Sequence, residues 1–383
     1  MQSKRVKNLN PYKPGEQPKD KPYIKLNANE NPYPPSPEVL NAIKNKITNE
    51  KMLLALYPDP DSNELKKAIA ELLNSTGGVL CRTHVDEKGN CTPNEQDKIP
   101  FEITPDMIFV GNGSDEVLSF VFYSFFDKDR TVVQAEHSYS FYPVYAQFYE
   151  LPLLKVPLTP SWEIDSEKIL NTAASTGNII LANPNAPTGI ALKREQIKEL
   201  LKNAPKNYVH VIDEAYVDFG GESCLSLLNE FDNLIIVRTF SKSLSFAGQR
   251  LGFAIANPKL IQTMTCVKDS FNHFPVDAIA QTAGIATCKN AAYYVDCAKK
   301  IVKERNDFSS FLQNLNWKVL PSSTNFVFAT KEGFSGKETY EHIKKQGILV
   351  RHFNTSGIEN FVRVTIGTTE QMKKLKNIWP QNN

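Results

Sequence analysis

The sequence predicts an α/β protein: a large domain on a mostly parallel, seven-stranded sheet between helices, then a smaller α/β domain at the C-terminal end. Three observations predict it. Short β-branched and aromatic runs begin near Met107, Thr131, Leu153, Asn178, Tyr208, Leu234 and Leu251, and they alternate with helical patterns. Gly113, Asp213 and Lys242 all fall just past the ends of such runs, where sites lie in parallel sheets. A chain of 383 residues can bury one large core and a smaller second one.

Residues 1–35 are rich in Pro and Asn and read as an extended arm that packs on the small domain. Helices follow near Ser36–Ile47 and Ser62–Leu73, opening a large domain over 36–289. Between Leu73 and Pro105 the polar, glycine-containing chain reads as a surface insertion at about 74–104, with a hairpin turning at Lys88–Asn90 and able to cover a site mouth. M-I-F-V-G-N-G-S-D-E-V-L from Met107 is strand, glycine turn and helix, with Ser114 as N-cap and Asp115 and Glu116 in the first turn. Backbone donors and the positive dipole end of that helix suit a phosphate. From about Asn290 a long helical stretch leads to short strands at Trp317, Phe326, Ile348 and Phe361, a small domain over 290–383.

Two segments carry the chemistry. V-I-D-E-A-Y ends a strand in Asp213, with Tyr216 three residues on. A carboxylate there can keep a pyridinium nitrogen protonated, and Tyr216 can reach that ring's phenolic oxygen. R-T-F-S-K-S-L-S-F-A-G-Q-R, from Arg238 to Arg250, follows a buried strand with a lysine between hydroxyls. An ε-amine that titrates near ~10.4 in water attacks a carbonyl only when burial or an internal imine removes its proton. Thr239, Ser241 and Arg250 supply hydroxyls and a guanidinium fork for a phosphate dianion. Taken alone, S-K-S also reads as a solvated loop and Asp213 as a turn cap. A nicotinamide site is disfavoured, because Glu116 stands where the third glycine of G-x-G-x-x-G belongs.

Composition excludes other classes. A formal net charge of +2 and the lack of a basic run with interleaved aromatics point to no nucleic-acid partner. No apolar stretch is long enough for a membrane span or a secretory leader, so the expectation is a soluble, cytoplasmic protein. Six scattered cysteines argue against a disulfide framework. Cys81, His84 and Cys91 are the only metal-like grouping and lack a fourth ligand at regular spacing, so no metal is expected.

The glycine-turn helix, N-P-N-A-P-T-G (Asn183–Gly189), D-E-A-Y and T-F-S-K-S-L-S-F-A-G-Q-R occur in an order that resembles the pyridoxal-phosphate aminotransferases of the aspartate-aminotransferase fold type. Y-K-P-G-E-Q-P from Tyr12, I-K-L-N-A-N-E-N-P-Y-P-P-S-P from Ile24, Y-P-D-P-D-S-N-E-L from Tyr57 and F-V-R-V-T-I-G-T near the end are similar to the histidinol-phosphate aminotransferases among them. The resemblance spans nearly the whole chain. It implies pyridoxal 5′-phosphate bound covalently through Lys242, which also shuttles the proton, with Asp213 at the ring nitrogen and Tyr216 at the phenolic oxygen. It further implies that Tyr139, in H-S-Y-S-F-Y, stacks on the ring. Backbone amides of Ser114 and Asp115, with Thr239, Ser241 and Arg250, would hold the phosphate. Tyr57 would reach that phosphate from the neighbouring subunit of a homodimer. The family's usual asparagine before P-T-G is Ala186 here, which leaves Asn185 as the candidate. Arg363 would grip a substrate carboxylate and Arg351 a substrate phosphate, with Tyr12 and Asn29 lining the pocket. The implied reaction passes the amino group of L-histidinol phosphate to 2-oxoglutarate. An aromatic amino acid aminotransferase, a phosphoamino-acid decarboxylase of the same framework and a non-catalytic sensor domain are the alternatives.

Overall fold

The computed structural model describes residues 1–7, 9–12, 15–174 and 177–380. In chain order, the arm contributes β1 (Ile24–Lys25) and the insertion a hairpin of β2 (His84–Val85) and β3 (Cys91–Thr92). The seven runs that the sequence marks become β4 (Ile108–Gly111), β5 (Thr131–Ala135), β6 (Leu153–Val156), β7 (Gly177–Ala182), β8 (His210–Asp213), β9 (Leu234–Thr239) and β10 (Gly252–Ala256). The C-terminal region adds β11 (Lys318–Val319), β12 (Phe326–Thr330), β13 (Ile348–Leu349), β14 (Arg351–His352) and β15 (Val362–Thr365).

Strands β4 to β10 form one sheet in the order β4-β10-β9-β8-β7-β5-β6. Only β10 runs antiparallel to its neighbours. Every residue of β7, β8, β9 and β10 is buried, as expected when helices cover both faces of a parallel sheet and each strand becomes a continuous apolar run. Because β8 and β9 run in parallel register, Asp213 and Thr239 leave the sheet at the same edge. At that edge Gly252 lies between Gly111 of β4 and Thr239 of β9. The sheet therefore gathers the G-N-G turn, D-E-A-Y and the lysine loop at one rim.

The C-terminal strands form a four-stranded antiparallel sheet in the order β11-β12-β15-β14. The strand at Ile348 is not part of it: β13 pairs in parallel with β1 of the arm. Leu26 continues the arm between the two, donating its N–H to Leu349 and accepting from Thr365. Among the described residues no helix is long and apolar enough to cross a membrane.

The 74–104 segment corrects one expectation. The hairpin forms, with the Asp86 carboxylate accepting from the N–H groups of Lys88 and Asn90 at 2.9 and 2.8 Å. Its base, however, is no surface decoration. Leu80, Thr83 and Asp97 are buried, and Cys81 and Cys91 pack on the core. Asp97 takes a two-point contact from Arg82, both bonds 2.7 Å, and Arg82 also donates to the carbonyl of Gly220. The polar sequence misled because these groups pair with one another and with backbone rather than with water.

A buried ion pair joins this base to the central strands. Arg238 of β9 donates through Nε and Nη2 to Glu214, just past β8, at 3.0 and 2.5 Å, and through Nη1 to the carbonyl of Gly78 at 2.8 Å. Ser223 and the N–H of Cys224 complete the Glu214 carboxylate. Removing one partner strands a charge in the core. Arg238→Leu is expected to lower the unfolding free energy by about 3–5 kcal/mol in chemical denaturation; a loss under about 1 kcal/mol would contradict the role assigned to the pair.

Candidate active site

Lys242 sits in the loop after β9 with its backbone fixed and its amine nearly free. The Asn31 amide donates to the carbonyls of Lys242 and Ser243 at 3.1 and 3.0 Å. Behind the loop, Ser243 Oγ donates to Asp218 Oδ2 at 2.5 Å, while Asp218 Oδ1 accepts the N–H of Leu80 at 3.1 Å. The insertion thus buttresses the lysine loop from below. The Lys242 amine has a long 3.5 Å contact to the carbonyl of Ala28, lies 5.8 Å from the Tyr216 ring centroid and has no acidic partner among the described residues.

Asp213, 5% exposed, ends β8. Its Oδ2 accepts from the hydroxyl of Tyr142 at 2.8 Å and its Oδ1 from the N–H of Ala215 at 3.1 Å. Burial pushes its pKa up to about 6, against these two hydrogen bonds, which favour the anion. Tyr142 itself is fully buried at the start of the helix Tyr142–Phe148, and burial beside the Asp213 charge holds its hydroxyl protonated. Sequence reading passed over Tyr142. Its signal was the spacing, one helical turn after Tyr139, but only the fold reveals which carboxylate it meets.

Tyr216 and Asn29 are brought together: the Asn29 amide donates to the Tyr216 hydroxyl at 2.8 Å. Asn29 is locked by Thr365 of β15, which hydrogen-bonds both its N–H and its side-chain oxygen. Asn185 hydrogen-bonds to neither member of that pair among the described residues. Its amide donates to the carbonyl of His137 at 2.8 Å and to Thr188 at 3.1 Å, while its Oδ1 is buried without a partner among the described residues.

The helix after the G-N-G turn runs from Gly113 to Phe125, with Asn112 at its N-cap. Ser114 is thus inside the first turn and not the cap, because Gly113 starts the helix at φ +83. A Cβ on Gly113 would come 2.6 Å from Arg250 Nη2, so the turn and the guanidinium share a close cradle that only glycine permits. Arg250 also donates to Asp115 Oδ2 at 3.0 Å and to Ser241 Oγ at 3.4 Å. Tyr139 donates to Asp115 Oδ1 at 2.7 Å. Thr239 Oγ1 accepts the N–H of Ser241 at 3.1 Å. Ser114, Asp115, Tyr139, Thr239, Ser241 and Arg250 accordingly form one cluster beside the helix start.

Arg351 and Arg363 face each other in register across β14 and β15. Arg363 donates to the carbonyl of Asn27 at 3.2 Å, and its Nε is buried without a partner among the described residues. Tyr12 of the arm rests against Phe141 with ring centroids 5.2 Å apart. Tyr57 is not at its own chain's site. It is 81% exposed and stacked on Phe274 at 4.5 Å.

A family model described as aminotransferase class I and II matches residues 21–377. The histidinol-phosphate aminotransferase of Syntrophus aciditrophicus is 44% identical over 377 residues, 98% of this chain and 96% of that protein. The crystal structure of the histidinol-phosphate aminotransferase of Sinorhizobium meliloti, in complex with pyridoxal-5′-phosphate, aligns with a TM-score of 0.77 at 24% identity, covering 93% of this chain and 90% of that one. A mutant of Thermus thermophilus aspartate aminotransferase aligns at 0.78 with 19% identity over 99% of both chains, so the fold is that of aspartate aminotransferase.

Tyr142→Phe removes a donor from an anionic acceptor, worth roughly 1.5–3 kcal/mol, or about one to two pKa units. The Asp213 midpoint in cofactor-free protein, followed by carbon NMR of labelled aspartate, is expected to rise above its value of about 6. An unchanged midpoint would show that the hydroxyl does not act on the carboxylate.

Proposed function

The chain belongs to the class I and II aminotransferase family, and we propose that it transfers the amino group of L-histidinol phosphate to 2-oxoglutarate, giving imidazole acetol phosphate and glutamate in histidine biosynthesis, with pyridoxal 5′-phosphate as cofactor. The name carried by the Syntrophus relative, at 44% identity over nearly the whole chain, supports the substrate. The observation that carries the proposal is the pair Arg351 and Arg363, opposed in register with no carboxylate paired to either among the described residues. Like charges opposite one another on a sheet repel. A phosphate dianion relieves that repulsion more fully than the single carboxylate of an aromatic amino acid does.

The residues fit the cofactor. Asp213 is a buried carboxylate with no cation beside it among the described residues, suited to a pyridinium N–H. The cradle of Gly113 and Arg250, at a helix start, suits a phosphate. Lys242 offers an amine free of any acid partner among the described residues. When bound, pyridoxal phosphate supplies an electron sink for the carbon that bears the transferred amino group.

The chain's own groups do the rest. Asp213 would hold the proton at the ring nitrogen, and Tyr142 fixes the direction of its carboxylate. Asn29 donates to Tyr216, which leaves the hydroxyl proton of Tyr216 free for an oxygen in the site. Lys242 Nζ, on a backbone pinned by Asn31, is the base that takes and returns the substrate proton. Arg250, Ser241, Thr239 and the amides of Ser114 and Asp115 bind phosphate, with Tyr139 held over the site by Asp115. Arg363 and Arg351 orient the donor by its phosphate and the keto acid by a carboxylate, with Tyr12 and Asn29 beside them.

A cytoplasmic homodimer with shared sites belongs to this proposal. Its support is the exposed apolar stretch Met52, Leu54, Leu56 and Tyr57, in which Tyr57 stacks on Phe274 and hydrogen-bonds to no residue of the Arg250 cluster among the described residues. Domain limits of 36–289 and 290–383, with an arm over 1–35 and an insertion over about 74–104 whose base is packed into the large domain, are proposed with it.

Both half-reactions use one site, so parallel double-reciprocal lines are expected in steady-state kinetics and intersecting lines would count against the scheme. Lys242→Ala is expected to abolish turnover. Arg351→Ala is expected to raise the KM for L-histidinol phosphate by about ten- to a hundredfold, while any activity on phenylalanine or tyrosine stays level. Equal losses on both donors would move the assignment to an aromatic aminotransferase.

A further inference from the structure

Two guanidiniums set opposite each other need something to hold them, and here it is an aromatic ring in place of an acid. Arg351 Cζ lies 5.5 Å from the centroid of Phe353, and Arg363 Cζ lies 5.4 Å from the same ring. Both distances fall within cation–π range. Phe353 comes two residues after Arg351, which along an extended chain puts both on one face. The ring is itself anchored edge-on to Phe328, 6.1 Å between centroids at 83°, in a cluster with Leu320, Ile358 and Phe361. Arg363 has a second ring, Phe326, at 5.1 Å.

The arm closes the other side of Arg351. A Cβ on Gly15 would stand 3.1 Å from Arg351 Nη1, so the backbone there comes as close as glycine allows. Arg351 therefore occupies a slot with the arm backbone on one side and an aromatic ring on the other. A carboxylate in place of that ring would hold the guanidiniums equally well, but it would consume their N–H donors and cancel their charge. A ring face attracts the cation and leaves the donors at the guanidinium edges free.

We propose that Phe353 is a positioning residue that sets the spacing of Arg351 and Arg363 and keeps their donors available to the phosphate end of the substrate; this rests on the assignment of that pair as the substrate's anion site. Phe353 need not touch the substrate. Its effect is on affinity for the phosphate-bearing donor and not on proton transfer at Lys242.

The test is calorimetric binding of L-histidinol phosphate to cofactor-loaded protein in a Lys242→Ala background, which holds the donor without turnover, beside steady-state kinetics with Lys242 intact. Phe353→Leu is expected to raise Kd about tenfold, the loss of two cation–π contacts, and to raise KM with kcat unchanged. Phe353→Tyr, which keeps the ring face, is expected to bind within about twofold of the parent. Should Phe353→Leu lower the unfolding midpoint, Phe353→Met carries the same comparison at a closer volume. If Arg351→Ala weakens binding and neither Phe353→Leu nor Phe353→Met does, the role of Phe353 is overturned while the anion site stands. If Arg351→Ala also binds as the parent does, the anion-site assignment itself falls.

Discussion

The carboxylate of Asp213 lies where β8 leaves the sheet, buried, with two hydrogen bonds and no cation among the described residues. A buried charge in that state is costly, and its raised pKa of about 6 reflects the cost. Under the proposed function, a cationic N–H brought from outside the chain would offset that cost. The neighbouring strands serve that acid. β9 in parallel register sets Thr239 and the lysine loop beside it, and the Arg238–Glu214 pair directly below stops the ends of β8 and β9 from sliding.

Apart from the Arg250–Asp115 pair at the helix start, charge in the site follows one logic. At the sheet rim a buried acid has no cation beside it among the described residues, and at the small sheet two opposed arginines have no acid beside them. Between them the Lys242 amine has neither, and its backbone is gripped by Asn31 in front and by the Ser243–Asp218 contact behind. Each group is held by neutral partners that leave its charge uncompensated: Tyr142 for Asp213, backbone for Lys242, aromatic rings for the arginines. Charged groups left this way in a folded protein are poised for ligands rather than for stability.

How much of this the sequence discloses depends on the range of the interaction. Strand ends are local, so Asp213, Lys242 and the glycine turn were legible from β-branched runs and the residues just past their ends. The seven strands appeared where the runs begin, because buried parallel strands leave an unbroken apolar signature. Partners from distant segments were not legible. Nothing local connects Tyr142 to Asp213, Asn31 to the Lys242 carbonyl, or Leu80 to Asp218, which are brought together only by tertiary packing. Polarity misled in the insertion, where Asp97 and Arg82 satisfy each other in place of water. Cap preference misled at Ser114, because a glycine at positive φ started the helix one residue earlier.

The central claim is that one amine-bearing site accepts nitrogen from a phosphate-bearing donor before any keto acid arrives. The most direct measurement is the visible absorbance of protein loaded with pyridoxal phosphate on mixing with L-histidinol phosphate alone, beside phenylalanine and tyrosine. Histidinol phosphate is expected to bleach the aldehyde form to the amine form in a single turnover, and 2-oxoglutarate then to restore it. Bleaching by the aromatic amino acids only, or no visible band after loading, would contradict the claim.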